Sequence, residues 1–292
     1  MNWFPLCNFT HYSLQKAFSK PHQLAKKCRD NGYSACGIAD YKSISGAVSF
    51  YKSCIKNDIK PIIGCAFDNF TLFAKNKQGW LELIQIVSSI TNGQPDNSLI
   101  VKLGKNRNLI CVAVSRSDSP IKGEDFYEKT ESFMDIYYTE KSHAPLHRIL
   151  LCSSMKTNLS KINRKITNGE SVENQIFFES DDFFLKDKVE ITEVIINDHK
   201  SEQFKEIFYK CENYNILNKP MLPTFPTPKG ESEEEYLKHL CRKGWRKHLL
   251  ETGKVKAKED EDIYLKRFLM ELEVIKNANL FGYFLIVQDI ID

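Results

Sequence analysis

The sequence has no long apolar run and no cationic-then-apolar leader, so nothing in it is built to span a membrane or direct secretion; a soluble, cytoplasmic protein is expected. It has no C-x-x-C pair, and its nine cysteines are scattered and odd in number, which excludes a disulfide framework and predicts reduced, mostly buried thiols. It has no excess of one charge. Lys and Arg number 41 against 38 Asp and Glu, a net +3, and that balance argues against a dedicated polyanion-binding surface. It has no internal repeat and no low-complexity tract apart from a charged hinge over Lys254–Asp262. What it has in quantity is apolar mass: 42% hydrophobic and 12% aromatic residues in a chain of 292, enough core for one large or two ordinary domains.

The stretch Ser34–Ala66 organises the rest. Ser34-Ala35-Cys36-Gly37-Ile38-Ala39-Asp40-Tyr41 is a small, apolar run with a polar tip. Ala47, Phe50, Tyr51, Cys54 and Ile55 then fall at helical spacing, and Lys60-Pro61-Ile62-Ile63-Gly64-Cys65-Ala66 is a second short apolar run. Strand, helix and strand in that compass form a βαβ unit with parallel strands and a right-handed crossover. In such folds the chemistry sits at the carboxyl ends of the strands, here Asp40-Tyr41 and Cys65-Ala66.

Before this unit, residues 2–13 read as a strand running into a loop, followed by a helix from Pro21 that Asn31-Gly32 stops. After it, strands are predicted at Phe70–Ala74, Leu99–Leu103, Leu109–Val114 and Phe133–Tyr138. Helices are predicted through Leu81–Ile90, from His147 to Cys152 and through Phe204–Asn215, with Ser153–Asn174 a polar surface loop. The run 219–230 carries four prolines and reads as an extended linker. Beyond it Ser232-Glu233-Glu234-Glu235 is a helix start, and Tyr264–Ile275 and the very apolar Phe281–Ile291 follow as helices. The domain boundaries are therefore 1–218, 219–230 and 231–292.

These residues carry a resemblance. Gly46-Ala47-Val48-Ser49-Phe50-Tyr51-Lys52 and Ile59-Lys60-Pro61-Ile62-Ile63-Gly64-Cys65 are similar to the polymerase and histidinol phosphatase (PHP) domain that opens bacterial family C replicative polymerases. The resemblance implies a distorted (β/α)7 barrel, in the α/β class, followed by a mostly α-helical segment. It also locates a metal site, and there this chain departs from the family. The family's His-x-His-Thr-Glu-Tyr-Ser stands here as Cys7-Asn8-Phe9-Thr10-His11-Tyr12-Ser13, without either leading histidine. A family aspartate falls on Lys16, a third histidine on Tyr41 after Asp40, a glutamate on Ala66 and another histidine near Asn69. The family's Asn-Asp-x-His-Tyr stands as Met134-Asp135-Ile136-Tyr137-Tyr138, while His147-Arg148-Ile149-Leu150-Leu151-Cys152 matches closely; the segment between Val114 and Phe133 is shorter than the family's.

A metal-dependent phosphoesterase needs clustered imidazoles and carboxylates to hold the divalent ions that make hydroxide from water. The positions Cys7, Phe9, Lys16, Asp40, Tyr41, Ala66, Asp135 and Tyr137 therefore read as a vestigial site with no catalytic and no metal-ligating residue. Lys16 is expected to replace the lost cations by pairing with Asp40 or Asp135, with Phe9, Tyr41 and Tyr137 filling the vacated volume. Other residues keep two readings. Cys7 and Cys65 could be a thiolate pair or buried thiols. His143 and His147 could be ligands four apart or structural. Lys238, His239, Arg242, Lys243, Arg246, Lys247 and His248 could touch nucleic acid or form a solvated helix face. In each the blander reading is preferred.

The run Leu222–Glu231 and the segments Glu235–Gly244, Glu271–Lys276 and Gly282–Asp289 resemble the family's passage into the palm. The resemblance implies a replicative DNA polymerase as parent, with Mg2+ as its cofactor, and no cofactor in this chain. The partners implied are the remaining palm, fingers and thumb, a proofreading exonuclease and DNA through the full-length protein, and no membrane. Because the palm aspartates of the family come later than Asp292, this chain alone is expected to be inactive: a scaffold rather than a working PHP phosphoesterase or a free-standing replisome adaptor.

Overall fold

The computed structural model describes residues 3–91, 97–121, 123–195, 202–218, 223–228, 230–253, 255 and 257–291. Of the predicted linker, residues 219–222 and 229 lie outside the described residues, as do Lys254 and Lys256 of the charged hinge. Two compact units separate at Leu217 and Asn218.

The first unit opens with β1 (Cys7–Asn8) and α1 (Pro21–Asp30), and then the βαβ unit: β2 (Ala35–Tyr41), α2 (Ala47–Lys56) and β3 (Lys60–Ala66). Next come β4 (Phe70–Ala74), α3 (Lys77–Thr91), α4 (Asn97–Gly104), β5 (Leu109–Ala113), β6 (Phe126–Glu128) and β7 (Asp135–Ile136). Five helices end the unit: α5 (Ala144–Ser154), α6 (Leu159–Thr167), α7 (Ile176–Glu179), α8 (Lys188–Ile195) and α9 (Glu202–Lys210). β2 is buried along nearly its whole length, as a parallel strand covered on both faces must be.

The strands form two ladders. β2-β3-β4-β5-β6 is a mixed sheet, parallel at β2·β3 and β5·β6 and antiparallel at β3·β4 and β4·β5; β1 pairs with β7 in a parallel two-stranded ladder. The expected (β/α)7 barrel is thus met only in its α/β class. Among the described residues no closed barrel forms, because β1 and β7 are two residues long and β4 returns from β3 by a tight turn, Phe67 N–H donating to the Phe70 carbonyl, rather than by a crossover helix. β1 nevertheless lies against β2. Gly37 N–H donates to the Pro5 carbonyl at 2.8 Å, and the Asn8 amide donates to the Gly37 carbonyl at 2.8 Å.

Three local expectations are corrected. Leu99–Leu103 belongs to helix α4: Ile100 and Leu103, three apart, are buried while Val101 is exposed, and so short an apolar run does not distinguish the two periods. Ser153–Asn174 contains α6, started by the Asn158 side chain accepting from Lys161 N–H at 3.0 Å and seated by Ile162 against Cys152 and Val172. The helix predicted through Asn215 ends at Lys210.

The second unit contains α10 (Glu233–Trp245), continued by a π-helical turn over Arg246–Leu250, α11 (Lys258–Asn277) and α12 (Phe281–Ile291). Ser232 and Glu235 close the capping box that the sequence announces. α11 begins inside the predicted hinge, with Glu259, Asp260 and Glu261 in its first turn, where acids suit the helix dipole. α12 packs on α10, Phe281 and Leu285 joining Leu237, with Ile275 of α11 at the edge. No single helix among the described residues is long and apolar enough to cross a membrane.

The closest approach in the first unit generates a test. A Cβ on Gly37 would stand 2.0 Å from the Leu6 carbonyl oxygen, a contact that only backbone movement relieves. Gly37→Ala is expected to cost about 3 kcal/mol, read as a drop in urea midpoint with unchanged slope. A midpoint like that of the parent would mean that the β1 segment does not sit on β2.

Candidate functional site at the strand ends

The register brings the carboxyl ends of the strands together. Asp40 stands opposite Cys65 and Tyr41 opposite Ala66, and Cys7 stands opposite Asp135. Six of the eight positions singled out in the sequence, Phe9, Lys16, Tyr41, Ala66, Asp135 and Tyr137, line one cavity of about 270 Å³. Asn69 lines it too. Asp40 and Cys7 lie buried behind it, each about 1% exposed.

Asp40 is held from one side by the loop after β1. Thr10 N–H donates to its Oδ1 at 2.6 Å, the Thr10 hydroxyl to Oδ2 at 2.7 Å and the Ser13 hydroxyl to Oδ1 at 2.7 Å. Burial pushes its pKa up, and the Ser13 and Thr10 donors offset only part of that rise. The native state therefore binds this proton more tightly than the unfolded chain, so acidification through its range favours the fold at this residue.

Asp135 has a cation of its own. Lys129, just past β6, places its ammonium 2.8 Å from Oδ1 and 2.7 Å from Oδ2. Burial works against the Lys129 charge, but Asp135, with a smaller contribution from Cys7, outweighs it and the ammonium ends above lysine's ordinary range. Burial, reinforced by Asp135 and opposed by Lys129, pushes the Cys7 thiol up to about 12; burial likewise pushes Cys65 up to about 12. Both are inert thiols at neutral pH, with Cys65 donating to the Asp40 carbonyl at 3.4 Å.

Lys16 pairs with neither acid, and that expectation is corrected. Its ammonium lies 4.3 Å from the centroid of the Tyr41 ring. The Tyr41 hydroxyl donates to Asp68, which Lys42 also holds at 2.9 Å, and these two partners lower the Asp68 pKa. The physical reason is reach and competition: Asp40 is enclosed by hydroxyls from its own loop, and Lys129 already spans both oxygens of Asp135. Aromatic filling is present. Phe9 stacks on Tyr137 with centroids 4.7 Å apart and planes 3° from parallel, and Tyr137 meets Phe177 edge-on at 5.0 Å.

The two histidines do not form a pair. His147 is buried and donates from Nε2 to the Lys16 carbonyl at 2.7 Å, burial holding its pKa down, while His143 faces the Phe18 ring at 5.6 Å. His11 tilts onto Tyr12, with ring centroids 4.3 Å apart. Among the described residues no group of three His, Cys, Asp or Glu is arranged to hold a metal ion. Sequence reading missed Lys129, Thr10 as the principal anchor of Asp40, and Asp68. Lys129 lies within the shortened stretch between Val114 and Phe133, where no family motif marked a position.

Comparison with known proteins agrees with this layout. Residues 8–123 match the profile of the PHP domain, and residues 235–292 match the bacterial DNA polymerase III alpha NTPase domain. In an alignment of 301 positions that covers 97% of its length, the chain is 27% identical to DNA polymerase III subunit alpha of Staphylococcus aureus (strain Mu50 / ATCC 700699). The two profile matches make the chain similar to a PHP domain followed by a polymerase III alpha segment. The same subunit of Bacillus subtilis (strain 168) is 25% identical in an alignment of 325 positions that covers 95% of the chain. The chain spans 27% of the length of the first of these relatives and 28% of the second. Each profile falls inside one of the two units: the PHP match contains the second residue of β1 and all of α1 through β5, and the polymerase III alpha match contains most of α10 and all of α11 and α12 up to Ile291.

The Lys129–Asp135 pair is half-sheltered, with about 30% of each side chain exposed. Lys129→Met strands a carboxylate beside buried Cys7 and is expected to lower stability by about 2 kcal/mol. Asp135→Asn added to it should recover at least half of that loss in thermal melts. Additive losses would show that the two charges do not depend on each other.

Proposed function

We propose that this chain is part of a replicative DNA polymerase, in which the PHP unit is a scaffold without metal catalysis. The parent activity would be DNA-directed DNA synthesis with Mg2+ in a palm, and the partners would be the remaining polymerase domains and DNA. The similarity along 97% of the chain to polymerase III alpha subunits supports the first half of this reading.

The Lys129 ammonium on both oxygens of Asp135 carries the second half. A divalent cluster at the cavity needs several anionic or imidazole donors pointing at one point. The side chains of Phe9 and Ala66 offer no donor atom, and Tyr137 is a partly buried phenol whose pKa burial and Asp135 push upward, so it does not ionise to serve as a ligand. Asp40 spends both oxygens on Thr10 and Ser13, and Asp135 is already neutralised. The residues present do not fit the family's metal group, and no hydrolytic step is derived through one. What remains is mechanical: stacked rings and paired charges hold the strand ends closed.

The test is a phosphoesterase assay on the full chain with Mn2+ or Zn2+ and p-nitrophenyl phosphate, beside metal analysis after dialysis. No turnover above the metal-only background and no stoichiometric metal are expected. A rate that vanishes in Asp40→Asn or Asp135→Asn would establish a working site and overturn the scaffold reading.

A further inference from the structure

A second cavity, of about 590 Å³, opens at the opposite ends of β2 and β3. Lys60, the first residue of the seven in β3, lines it and stands opposite Ala35 at the start of β2. At about 3.3 Å per residue the strand carries this cavity ~20 Å from Ala66. Its walls are fixed by the fold. After α9 the chain lies along the end of β4, where Glu212 N–H donates to the Lys75 carbonyl at 2.6 Å and the Tyr214 hydroxyl to the Ala74 carbonyl at 3.3 Å. Buried Cys211 and Ile216 anchor that segment in the core. The other wall is the C-terminal half of α2, with Tyr51 and Ile55, and the turn at Asp58 that leads into β3. Ile55 is 57% exposed at this wall.

Among the described residues, Lys60 is the one cation that lines this cavity. Its ammonium donates to the Phe208 carbonyl at 2.6 Å and lies 4.2 Å from the centroid of the Phe208 ring. Neither contact neutralises it. No carboxylate of a described residue comes within 4 Å of it, although Asp58 and Glu212 line the same cavity. Those two acids likewise form no ion pair among the described residues. Burial holds the Lys60 pKa down, opposed in part by Cys211, as befits an ammonium without a counter-ion. An ammonium carries three N–H donors; the Phe208 carbonyl takes one, and the others are left for a ligand.

We infer that this cavity binds a free α-amino acid with a large apolar side chain. The ligand's carboxylate accepts from Lys60, its ammonium is met by Glu212 and Asp58, and its side chain lies against Tyr51, Ile55 and Tyr214. This goes beyond the scaffold reading, which concerns the carboxyl ends of the strands. Charge selects the class. A simple anion would meet Lys60 but face two acids. A simple cation would meet the acids but face Lys60, which already covers the Phe208 ring. A zwitterion satisfies both signs. Its amino nitrogen and carboxyl carbon are about 2.5 Å apart, so it bridges a cation and acids that stand too far from one another to pair directly. The aromatic and aliphatic walls supply the apolar part, and the volume lies within the range of about 300–1,000 Å³ usual for small-molecule sites.

The experiment is isothermal titration calorimetry of the full 292-residue chain with L-phenylalanine. Saturable one-site binding is expected with a dissociation constant of about 1 mM or tighter. Four analogues each remove one feature: 3-phenylpropionate lacks the ammonium, phenethylamine lacks the carboxylate, L-alanine lacks the ring, and N-acetyl-L-phenylalanine stands for a peptide end. Each should bind about tenfold more weakly. Lys60→Met should weaken L-phenylalanine about tenfold, and Glu212→Gln, at an exposed acid, about threefold. The control Lys161→Met, on the exposed face of α6, should change affinity less than about twofold. Thermal melts check that each variant is folded, and Glu212→Gln carries the test if Lys60→Met is not. No saturable heat up to about 10 mM ligand would overturn the inference. So would an unchanged affinity in either folded variant, an equal loss in the α6 control, or any analogue binding as tightly as L-phenylalanine; were N-acetyl-L-phenylalanine the one that did, the cavity would belong to a peptide end. None of these outcomes bears on phosphoesterase turnover, so this inference and the scaffold reading fail separately.

Discussion

A carboxylate taken out of water has to find donors or a counter-charge, and Asp40 at the end of β2 finds three donors in the loop Thr10–Ser13. That requirement fixes the path of the chain after β1. With Thr10 and Ser13 committed, Phe9 is carried onto the Tyr137 ring and Lys16 onto the Tyr41 ring. The same loop presents the Lys16 carbonyl to His147, which brings α5 to the strand ends. Gly46 completes the fit: a Cβ there would stand 2.8 Å from Asp40 Oδ2, so the N-terminus of α2 closes directly over the carboxylate. One buried carboxylate thus ties the loop after β1 to β2 and α2, and through that loop to the distant α5.

Two further acids around the cavity are each met by a lysine. Lys129 meets Asp135, and Lys42 meets Asp68 with help from the Tyr41 hydroxyl. Pairing across strand ends does two jobs. It removes repulsion between acids gathered at one mouth, and it links β6 to β7, which share no ladder. The second unit solves a smaller problem in a similar way. Glu233 accepts from Phe225 N–H at 2.8 Å and presses on Gly282, so one acid seats both the extended approach to α10 and the start of α12.

Much of this was legible in the chain. The βαβ unit, the Ser232 capping box and the gathering of strand ends all follow from periodicity, turn residues and motif positions, and they hold to within a residue or two. Leu99–Leu103 and the stretch holding α6 misled for opposite reasons. The first is so apolar that helix and strand periods look alike. The second is so polar that only Ile162 and an Asn158 cap mark the helix. At the cavity the sequence identified which residues stand there but not which cation would win. Lys16 held the motif position, yet its reach ends at Tyr41. Lys129 reaches Asp135 because only residues 129–134 join β6 to β7, a geometric fact that no local pattern encodes. Barrel closure was equally invisible, since it depends on how far β1 and β7 extend beyond two residues each.

The counter-ion of Asp135 is part of the polypeptide. A dissociable ion occupies its place according to its concentration outside, exchanges with competitors and leaves when sequestered. An ammonium on a lysine stem does none of these things; its local concentration is set by the length of its own side chain. The charge on Asp135 is therefore matched as soon as the chain has folded, and the pairing is undone only by a pH extreme enough to neutralise one of the two partners or by a change in the sequence itself.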